Sequence, residues 1–273
     1  MSTATIAFIG AGNMASSIIG GLLSSGHPAG NIHAADPFPE SLRRLRALGP
    51  VGLFDDNAAA ASGADVVVLA VKPQVMAEAA DSIAAEVAAG SAVVVSIAAG
   101  ITIETLERRL GTGTAIVRCM PNTPALLGCG ASALYANSNT TDEQRAHAEN
   151  LLNAVGLSRW VPEESALDAI TALSGSGPAY FFLFMEAMAD AGRELGLDAD
   201  TATAMTLQTA LGAARMATEG DVDLVELRRR VTSPGGTTER AIQQFESDDL
   251  RGRVAAAMRA AFDRSMEMAR DMG

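Results

Sequence analysis

The feature that most constrains the fold is a glycine turn near residue 10, set between an apolar run and a helix-like run. Residues 6–15 read IAFIGAGNMA, which fits the dinucleotide-binding pattern with Ala15 at the third glycine position. Gly10 would permit a tight turn, Gly12 would let the backbone approach a pyrophosphate, and Ala15 would let the helix pack close to the strand. A purely structural turn is the alternative, but the order of strand, turn and helix favours a cofactor site.

Strand-like and helix-like runs alternate as far as residue 161. The predicted strands cover residues 5–9, 32–35, 64–71, 92–97 and 115–120, with late edge strands at 132–135 and 158–161. The predicted helices between them cover residues 14–24, 39–48, 75–88, 103–110 and 142–155. Such alternation is typical of a parallel sheet with right-handed crossovers. We therefore expect an α/β fold whose N-terminal part is a Rossmann-type doubly wound sheet.

The second part of the chain shows no strand signal. Helix-forming composition and helical periodicity cover residues 164–173, 180–195, 198–219, 224–231, 238–247 and 249–272. We therefore expect a dinucleotide-binding domain over residues 1–162 and an all-helical C-terminal domain over residues 163–273. Helices that are apolar on more than one face would expose large patches in a monomer, so we expect a homodimer built through this half. The alternative is a monomer whose helices pack on the sheet domain.

Composition narrows the class of partner and the compartment. The 273 residues carry a net charge of −12, which argues against a nucleic acid as a general partner. No apolar run reaches transmembrane length, and residues 1–5 lack the basic segment of a secretory signal. Cys119 and Cys129 are too few for a disulfide framework, so we interpret them as buried free thiols. The three histidines are scattered along the sequence, so we expect no metal site. The few cysteines and the short apolar runs lead us to expect a cytoplasmic protein with no membrane partner.

The end of the second predicted strand bears on the choice of cofactor. Asp36 lies about 20 residues beyond the glycine pattern, at the position where a carboxylate reads the adenosine ribose in dinucleotide-binding folds. A carboxylate there would favour NADH over NADPH. Pro37 follows at once, however, and Arg43 and Arg44 lie one helical turn further on, where they could reach an extra phosphate. The sequence therefore leaves NADH and NADPH as alternatives.

Four further segments complete a pattern that runs through most of the chain. They read AVKPQ over residues 70–74, RCMPNTP over 118–124, SGSGPAY over 174–180 and VTSPGGTT over 231–238. Together with the glycine turn, in this order and at these spacings, they resemble the pyrroline-5-carboxylate reductase family. The resemblance extends over most of the sequence, and its last segment is the most specific.

The resemblance and the expected fold together imply a cofactor cleft at the carboxyl ends of the strands. Lys72 is the only lysine of the chain, and in the family its loop lies along the dinucleotide. Small residues around Ala98 would let a nicotinamide lie flat against the backbone, whereas Asn122 would either contact the nicotinamide or hold its own turn. The expected cofactor-binding residues are Gly10, Gly12, Asn13, Met14, Ala15, Asp36, Ala70, Val71, Lys72, Pro73, Ala98 and Asn122.

The family resemblance also implies a substrate, 1-pyrroline-5-carboxylate, which carries a carboxylate and a ring imine. Amides and hydroxyls at the start of the helix predicted near residue 238 would bind the carboxylate, and NADH or NADPH would supply a hydride to the imine carbon to give L-proline. Thr238 is the expected proton donor, because the family motif has a threonine there. The expected substrate-binding residues are Ser176, Glu219, Ser233, Gly236, Thr237 and Thr238. A homodimer or a higher oligomer such as a decamer is implied as well.

Two rival functions differ in the residues that they require. A hydroxyacid dehydrogenase with the same two-domain plan needs a lysine as acid and base in the helical half, whereas Lys72 lies in the sheet half. A nucleotide-sensing regulator without catalysis needs an added interaction module, and the sequence shows no such module. Both requirements favour the reductase.

Overall fold

A single mixed sheet organises the first part of the chain in a computed structural model, which describes residues 4–272. Its strands are β1 (Ile6–Ile9), β2 (Ile32–Ala35), β3 (Gly52–Phe54), β4 (Val66–Leu69), β5 (Val93–Ser96), β6 (Ile116–Met120), β7 (Gly130–Ala136) and β8 (Gly156–Trp160). Within the described residues they form one eight-stranded sheet in the order β3-β2-β1-β4-β5-β6-β7-β8. Because β1 lies between β2 and β4, the strand order reverses beside it, as in doubly wound folds.

The sheet is parallel from β3 to β6 but not throughout. β7 pairs antiparallel with β6, and β8 pairs parallel with β7. The prediction of a parallel sheet is therefore wrong at β7, which also lies inside the sheet rather than at its edge. The connection over residues 121–129 is the physical reason, because it holds only the 3-10 turn Thr123–Leu127. A parallel crossover needs about a dozen residues or more, usually including a helix.

Helices connect the strands and make up the rest of the chain. They are α1 (Asn13–Ser24), α2 (Pro39–Leu48), α3 (Asn57–Ala61), α4 (Met76–Ala89), α5 (Ile103–Leu110), α6 (Asp142–Asn153), α7 (Ala166–Ile170), α8 (Gly177–Glu194), α9 (Ala199–Glu219), α10 (Leu224–Arg230), α11 (Thr237–Ser247) and α12 (Leu250–Met272). The sequence did not predict α3 or the strand β3. Both are too short to display a hydrophobic period.

Apolar side chains cover both faces of the sheet and form two cores. Phe8 of β1 belongs to the cluster that includes Ile18 of α1 and Leu151 of α6. The next residue, Ile9, belongs to the other cluster, which includes Ile83 of α4. Successive side chains of a strand point to opposite faces, so a strand buried on both faces reads as a continuous apolar run. This accounts for the unbroken valine runs of β4 and β5.

The described residues divide into two compact units. The sheet unit holds residues up to 176 together with those from 261 onward, and the helical unit holds residues 177–260. This division differs from the expected boundary between residues 162 and 163, because α7 and the end of α12 pack with the sheet. Leu167 of α7 is fully buried, and Ser265 Oγ of α12 donates to Asp168 Oδ1 at 2.6 Å. A substrate-binding and dimerisation domain over residues 163–273 stays a prediction.

The helical unit leaves much apolar surface exposed in a single chain. Its exposed large apolar residues include Phe181, Phe182, Leu183, Phe184, Met188, Leu195, Met205, Leu207, Leu211, Met216, Leu224 and Val225. Exposure of this extent indicates a surface that another protein surface covers. Along the described part of the chain, no helix combines the length and apolar character needed to cross a membrane.

The two cysteines differ in their environments. Cys119 of β6 is a buried free thiol, and its burial raises the pKa of that thiol. Cys129 is a free thiol too, but it is exposed, because it lies in the loop that precedes β7. The prediction of two buried thiols is therefore correct for Cys119 and wrong for Cys129.

We predict that His27 makes stability depend on pH. Its Nε2 atom is buried, with no hydrogen-bond partner among residues 4–272, and burial lowers the pKa of His27 against a smaller raising effect from the Ala4 backbone. The unfolded chain therefore binds this proton more readily, so the free energy of unfolding should fall as the pH drops below about 6.5. In urea titrations across this pH range, the loss of unfolding free energy should be smaller in His27→Gln than in wild type. Equal losses in wild type and His27→Gln would contradict the prediction.

Candidate active site

The carboxyl ends of the central parallel strands form one edge of the sheet. Ile9 at the end of β1 pairs with Ala35 of β2 and with Leu69 of β4, and Leu69 pairs in turn with Ser96 of β5. The residues that follow these strand ends therefore lie along one edge, at the point where the strand order reverses. In open α/β sheets this is the position of the ligand-binding crevice.

The glycine turn occupies this edge directly after β1. Gly10 has a φ of +98°, and a Cβ atom placed there would lie 2.7 Å from the carbonyl oxygen of Ala70. Any side chain at Gly10 would therefore be both strained and in collision with the end of β4. At Gly12 a Cβ atom would meet nothing within 4 Å, so the backbone there faces open space. Ala15 is buried at the start of α1 and belongs to the same apolar cluster as Phe8.

Gly12 is also the N-cap of α1, and no side chain caps this helix. Several other helices begin with a side-chain cap. Side chains of Asp56, Thr102, Thr141, Asp198 and Asp223 cap α3, α5, α6, α9 and α10. The first amides of α1, from Asn13 and Met14, are thus left for an outside acceptor, and the positive end of the helix dipole favours an anion there. Open space, a glycine N-cap and uncapped amides together fit a pyrophosphate.

Asp36 holds the glycine turn in place. Its Oδ2 atom accepts a hydrogen bond from the Ala11 amide at 2.8 Å, and its Oδ1 atom accepts one from the Phe38 amide, also at 2.8 Å. The sequence predicted a ribose contact but not this anchoring role. A carboxylate oxygen has more than one acceptor site, so the two roles are compatible. Arg43 pairs with Glu40 within α2, on an exposed surface.

The loops after β4 and β5 contribute the other predicted cofactor residues of this edge. Ala70 continues the strand, because its amide donates to the Ile9 carbonyl at 2.8 Å, and Pro73 opens the 3-10 turn Pro73–Val75. Val71 is half-buried and Lys72 is exposed. Ala98 is buried. The sequence predicted only two strands before the strand that leads to Lys72. The structure has three, because β3 was not predicted, so this strand is β4.

Asn122 joins two separate segments of the sheet unit. It is 8 % exposed; its Nδ2 donates to the Ser174 carbonyl at 2.9 Å, and its Oδ1 accepts from the Ala131 amide at 2.9 Å. The sequence left open whether Asn122 contacts a nicotinamide or holds its own turn. The side chain instead bridges the β6–β7 connection and the segment that precedes α8, using both ends of its amide.

The segment that receives this hydrogen bond is a π-helical turn. α7 ends at Ile170, and the turn Thr171–Gly175 follows directly, although the sequence predicted one continuous helix over residues 164–173. The Ser176 amide donates to the Thr171 carbonyl at 2.8 Å, which is the wider π spacing. Ser176 therefore lies between the π turn and α8. Single π turns occur often at functional sites.

An ion pair connects β6 with the segment that precedes α7. The Arg118 guanidinium of β6 donates to Glu164 Oε1 at 2.8 Å, and the same oxygen accepts from the Ile103 amide at the start of α5 at 2.9 Å. The side chain of Arg118 is only 7 % exposed. Sequence reasoning did not assign this pair. An arginine inside an otherwise apolar strand is a usable signal, since a buried charge requires a partner.

In the helical unit, the SPGG segment forms a turn that starts α11. The Gly236 amide donates to the Ser233 carbonyl at 3.0 Å, and Gly235 has a φ of +72°, which suits glycine. Gly236 is the N-cap of α11 and supplies no capping side chain. The structure thus brings together Ser233, Gly236, Thr237 and Thr238 at a helix start, as the sequence predicted, and this start has no side-chain cap.

Glu219 makes a local ion pair. It is the last residue of α9, and its Oε1 atom accepts a hydrogen bond from Arg215 Nε at 2.8 Å, with both side chains largely exposed. A surface pair of this kind is weak. The structure therefore leaves a substrate contact for Glu219 as a prediction.

The doubly wound sheet and the uncapped glycine turn define a Rossmann-type dinucleotide-binding protein. Residues 5–100 match a family model described as NADP oxidoreductase, coenzyme F420-dependent, and residues 164–268 match a model for pyrroline-5-carboxylate reductase dimerisation. The chain is 52% identical over 273 residues to the pyrroline-5-carboxylate reductase of Pseudomonas aeruginosa, with each chain fully covered. It is 46% identical to that of Haemophilus influenzae over 96% of this chain and 97% of the relative.

Solved structures give the same result. A pyrroline-5-carboxylate reductase from Coxiella burnetii superposes with a TM-score of 0.95 at 43% identity, covering 98% of this chain and 99% of the other. The Plasmodium falciparum enzyme, solved with NADP bound, has a TM-score of 0.85 at 28% identity over 98% and 99% of the two chains. The chain belongs to the pyrroline-5-carboxylate reductase family.

Membership of the family confirms several predictions. The resemblance, the Rossmann-type fold with a helical C-terminal region, and the class of NAD(P)-dependent oxidoreductase are all confirmed. The match to the dimerisation model confirms self-association, in agreement with the exposed apolar helices. The assignments of individual site residues stay predictions.

We predict that the Asn122 bridge contributes measurably to stability. In Asn122→Asp, a carboxylate oxygen would face the Ser174 carbonyl in place of the Nδ2 donor, so a buried acceptor would lose its partner. The free energy of unfolding should fall by about 1–3 kcal/mol in urea titrations. Asn57→Asp is the matched control, since it removes an exposed amide that donates to Ser82 Oγ at 3.0 Å, and it should cost little. Similar losses in both variants would contradict the bridging role.

Proposed function

We propose that the protein reduces 1-pyrroline-5-carboxylate to L-proline, the last step of proline biosynthesis, with NADH or NADPH as the hydride donor and in the cytoplasm. The observation that carries the proposal is the presence of two helices, α1 and α11, whose N-caps are glycines without a capping side chain. Each is suited to an anion, and the reaction uses two: the cofactor pyrophosphate and the substrate carboxylate. Full-length similarity to reductases of this name supports the same conclusion.

The cofactor would be held along the edge of the sheet. Amides of the turn and of the first turn of α1 would bind the pyrophosphate, and the ribose would lie near the end of β2. The nicotinamide would lie beside the small residues that follow β5. The residues proposed for these contacts are Gly10, Gly12, Asn13, Met14, Ala15, Asp36, Ala70, Val71, Lys72, Pro73, Ala98 and Asn122. Because Asn122 already uses its amide internally, its contribution would be to place the neighbouring loops.

The substrate carboxylate would be held at the start of α11. The Gly236 amide is already bonded to Ser233, so the amides and hydroxyls of Thr237 and Thr238 are the main donors. The helix dipole adds a favourable interaction with the carboxylate. Ser176 and Glu219 are proposed as further contacts to the substrate.

The chemistry requires one hydride and one proton. When bound, the reduced nicotinamide would supply the hydride to the imine carbon. The imine nitrogen must gain a proton as its double bond is lost, and the Thr238 hydroxyl would donate or relay this proton from water. A threonine is a weak acid, so its contribution would be to polarise the imine and to orient it.

We propose further that the chain works as a homodimer, or as a higher oligomer such as a decamer, built through residues 163–273. The exposed apolar side chains of α8 and α9 would be covered by a second copy. Covering them would remove from water the apolar area that a single chain exposes.

Substitution of Thr238 by valine tests the proposed chemistry. Wild type should oxidise NADH or NADPH in the presence of 1-pyrroline-5-carboxylate, followed by loss of nicotinamide absorbance. Thr238→Val keeps the side-chain shape but removes the hydroxyl, so kcat should fall about 100-fold while the cofactor Kd is retained. Thr112→Val, at an exposed turn outside residues 163–273, is the control and should keep full activity.

Two results would count against this account. Absence of turnover with both cofactors in wild type would contradict the proposed function. An unchanged kcat in Thr238→Val would exclude its hydroxyl as the proton donor, with the reaction itself unaffected.

A further inference from the structure

A carboxylate of the protein already lies on the turn that starts α11. The Oε2 atom of Glu239, the third residue of this helix, accepts a hydrogen bond from the Gly235 amide at 2.8 Å. The side chain therefore folds back over the turn from inside the helix. It satisfies one of the turn amides with a negative charge.

The start of α6 shows that this bracing does not require a charge. There the neutral side chain of Gln144 reaches back to the Thr141 amide at 2.9 Å, and the Thr141 hydroxyl accepts from the Gln144 amide. At α11 the N-cap is Gly236, which has no side chain, and the residue that reaches back is a glutamate. The negative charge of Glu239 is therefore additional to what the fold of the turn needs.

The charge of Glu239 is not neutralised by neighbouring arginines. Arg240 donates to Gln243 of its own helix, and Arg228 pairs with Glu246. Among the described residues, no arginine or lysine lies within ion-pair distance of Glu239. Its carboxylate is thus not paired with a cation of the described residues.

We propose that Glu239 is a positioning residue that also sets the affinity of the site for carboxylates. This inference rests on the proposed function, in which the substrate carboxylate binds the start of α11. The acceptor oxygen of Glu239 fixes the Gly235 amide and so the shape of the turn. Its charge repels a second carboxylate at the same helix start, which weakens the binding of the substrate and of the product, since both carry that group.

Two substitutions separate the effect of the hydrogen-bond acceptor of Glu239 from the effect of its negative charge. Glu239→Gln keeps an oxygen that can accept from Gly235 but removes the charge, so KM for 1-pyrroline-5-carboxylate should fall about threefold with kcat nearly unchanged. Because the effect is electrostatic, the KM ratio between wild type and Glu239→Gln should approach one as salt is added. Glu239→Ala removes the acceptor as well, so the turn loses its brace and KM should rise above that of wild type.

Controls keep the outcomes distinct. Glu104→Gln removes a charge from an exposed position of α5 and should leave KM unchanged. The circular dichroism and Tm of each variant establish that it is folded. Normal turnover in wild type with the same KM in Glu239→Gln at every salt concentration would overturn this inference alone. A raised KM in Glu239→Gln would also overturn it, since the charge would then assist binding. If wild type shows no turnover with either cofactor, the proposed function fails and this inference falls with it.

Discussion

The close approach between the glycine turn and the end of β4 is the constraint on which the rest of the structure depends. β1 lies between β2 and β4, and the chain leaves it through Gly10, which has a positive φ and where an added Cβ atom would lie 2.7 Å from the Ala70 carbonyl oxygen. Only glycine satisfies both conditions. The amide of Gly10 donates to Ala35 and the next amide donates to Asp36, so the turn is fixed to the neighbouring strand β2. Because the turn is fixed in this way, the first turn of α1 faces the crevice at the carboxyl ends of the strands.

The electrostatics at individual helix N-termini, rather than the net charge of the protein, explain how an acidic chain can bind anionic ligands. The protein carries a net charge of −12, which would repel a dinucleotide and a carboxylate at long range. At the starts of α1 and α11, however, glycine N-caps leave amides without an internal acceptor. Aspartate or threonine side chains accept from the same kind of amide at the starts of α3, α5, α6, α9 and α10. The starts of α1 and α11, whose N-caps are glycines, are therefore the proposed places for an outside anion to take the position of a side-chain cap.

The sequence predicted those parts of the fold that depend on local pattern. The helices over residues 39–48 and 103–110 and the strand over 32–35 agree with the structure at both ends, because each has a clear period or a marked boundary. β3, α3 and the antiparallel β7 were missed or misjudged, since they depend on strand pairing or on the length of a connection. The π turn was not predicted either, because its wider hydrogen bonds leave no trace in composition.

The candidate site, like the fold, has parts that the sequence predicted and parts that it did not. The glycine turn and the SPGG turn could be predicted because their backbone requires particular residues, and the structure places both at uncapped helix starts. The brace between Arg118 and Glu164 and the bridge made by Asn122 join residues that are far apart in sequence, so no local pattern predicted them. The same holds for Asp36, whose position suggested a ribose contact while its hydrogen bonds to Ala11 and Phe38 arise only in the folded chain.

Titration of NADPH and NADH into Gly12→Ala tests the central claim most directly. Gly12 has an ordinary φ of −71°, and an added methyl group would meet no protein atom within 4 Å, so the variant should fold with at most about 1 kcal/mol lost at the N-cap. If the open space beside Gly12 holds the pyrophosphate, the methyl group should weaken cofactor binding at least about tenfold, a change of about 1.4 kcal/mol in calorimetry. Gly30→Ala, where a Cβ atom also meets nothing, should bind normally. Unchanged affinity in a folded Gly12→Ala protein would contradict the account.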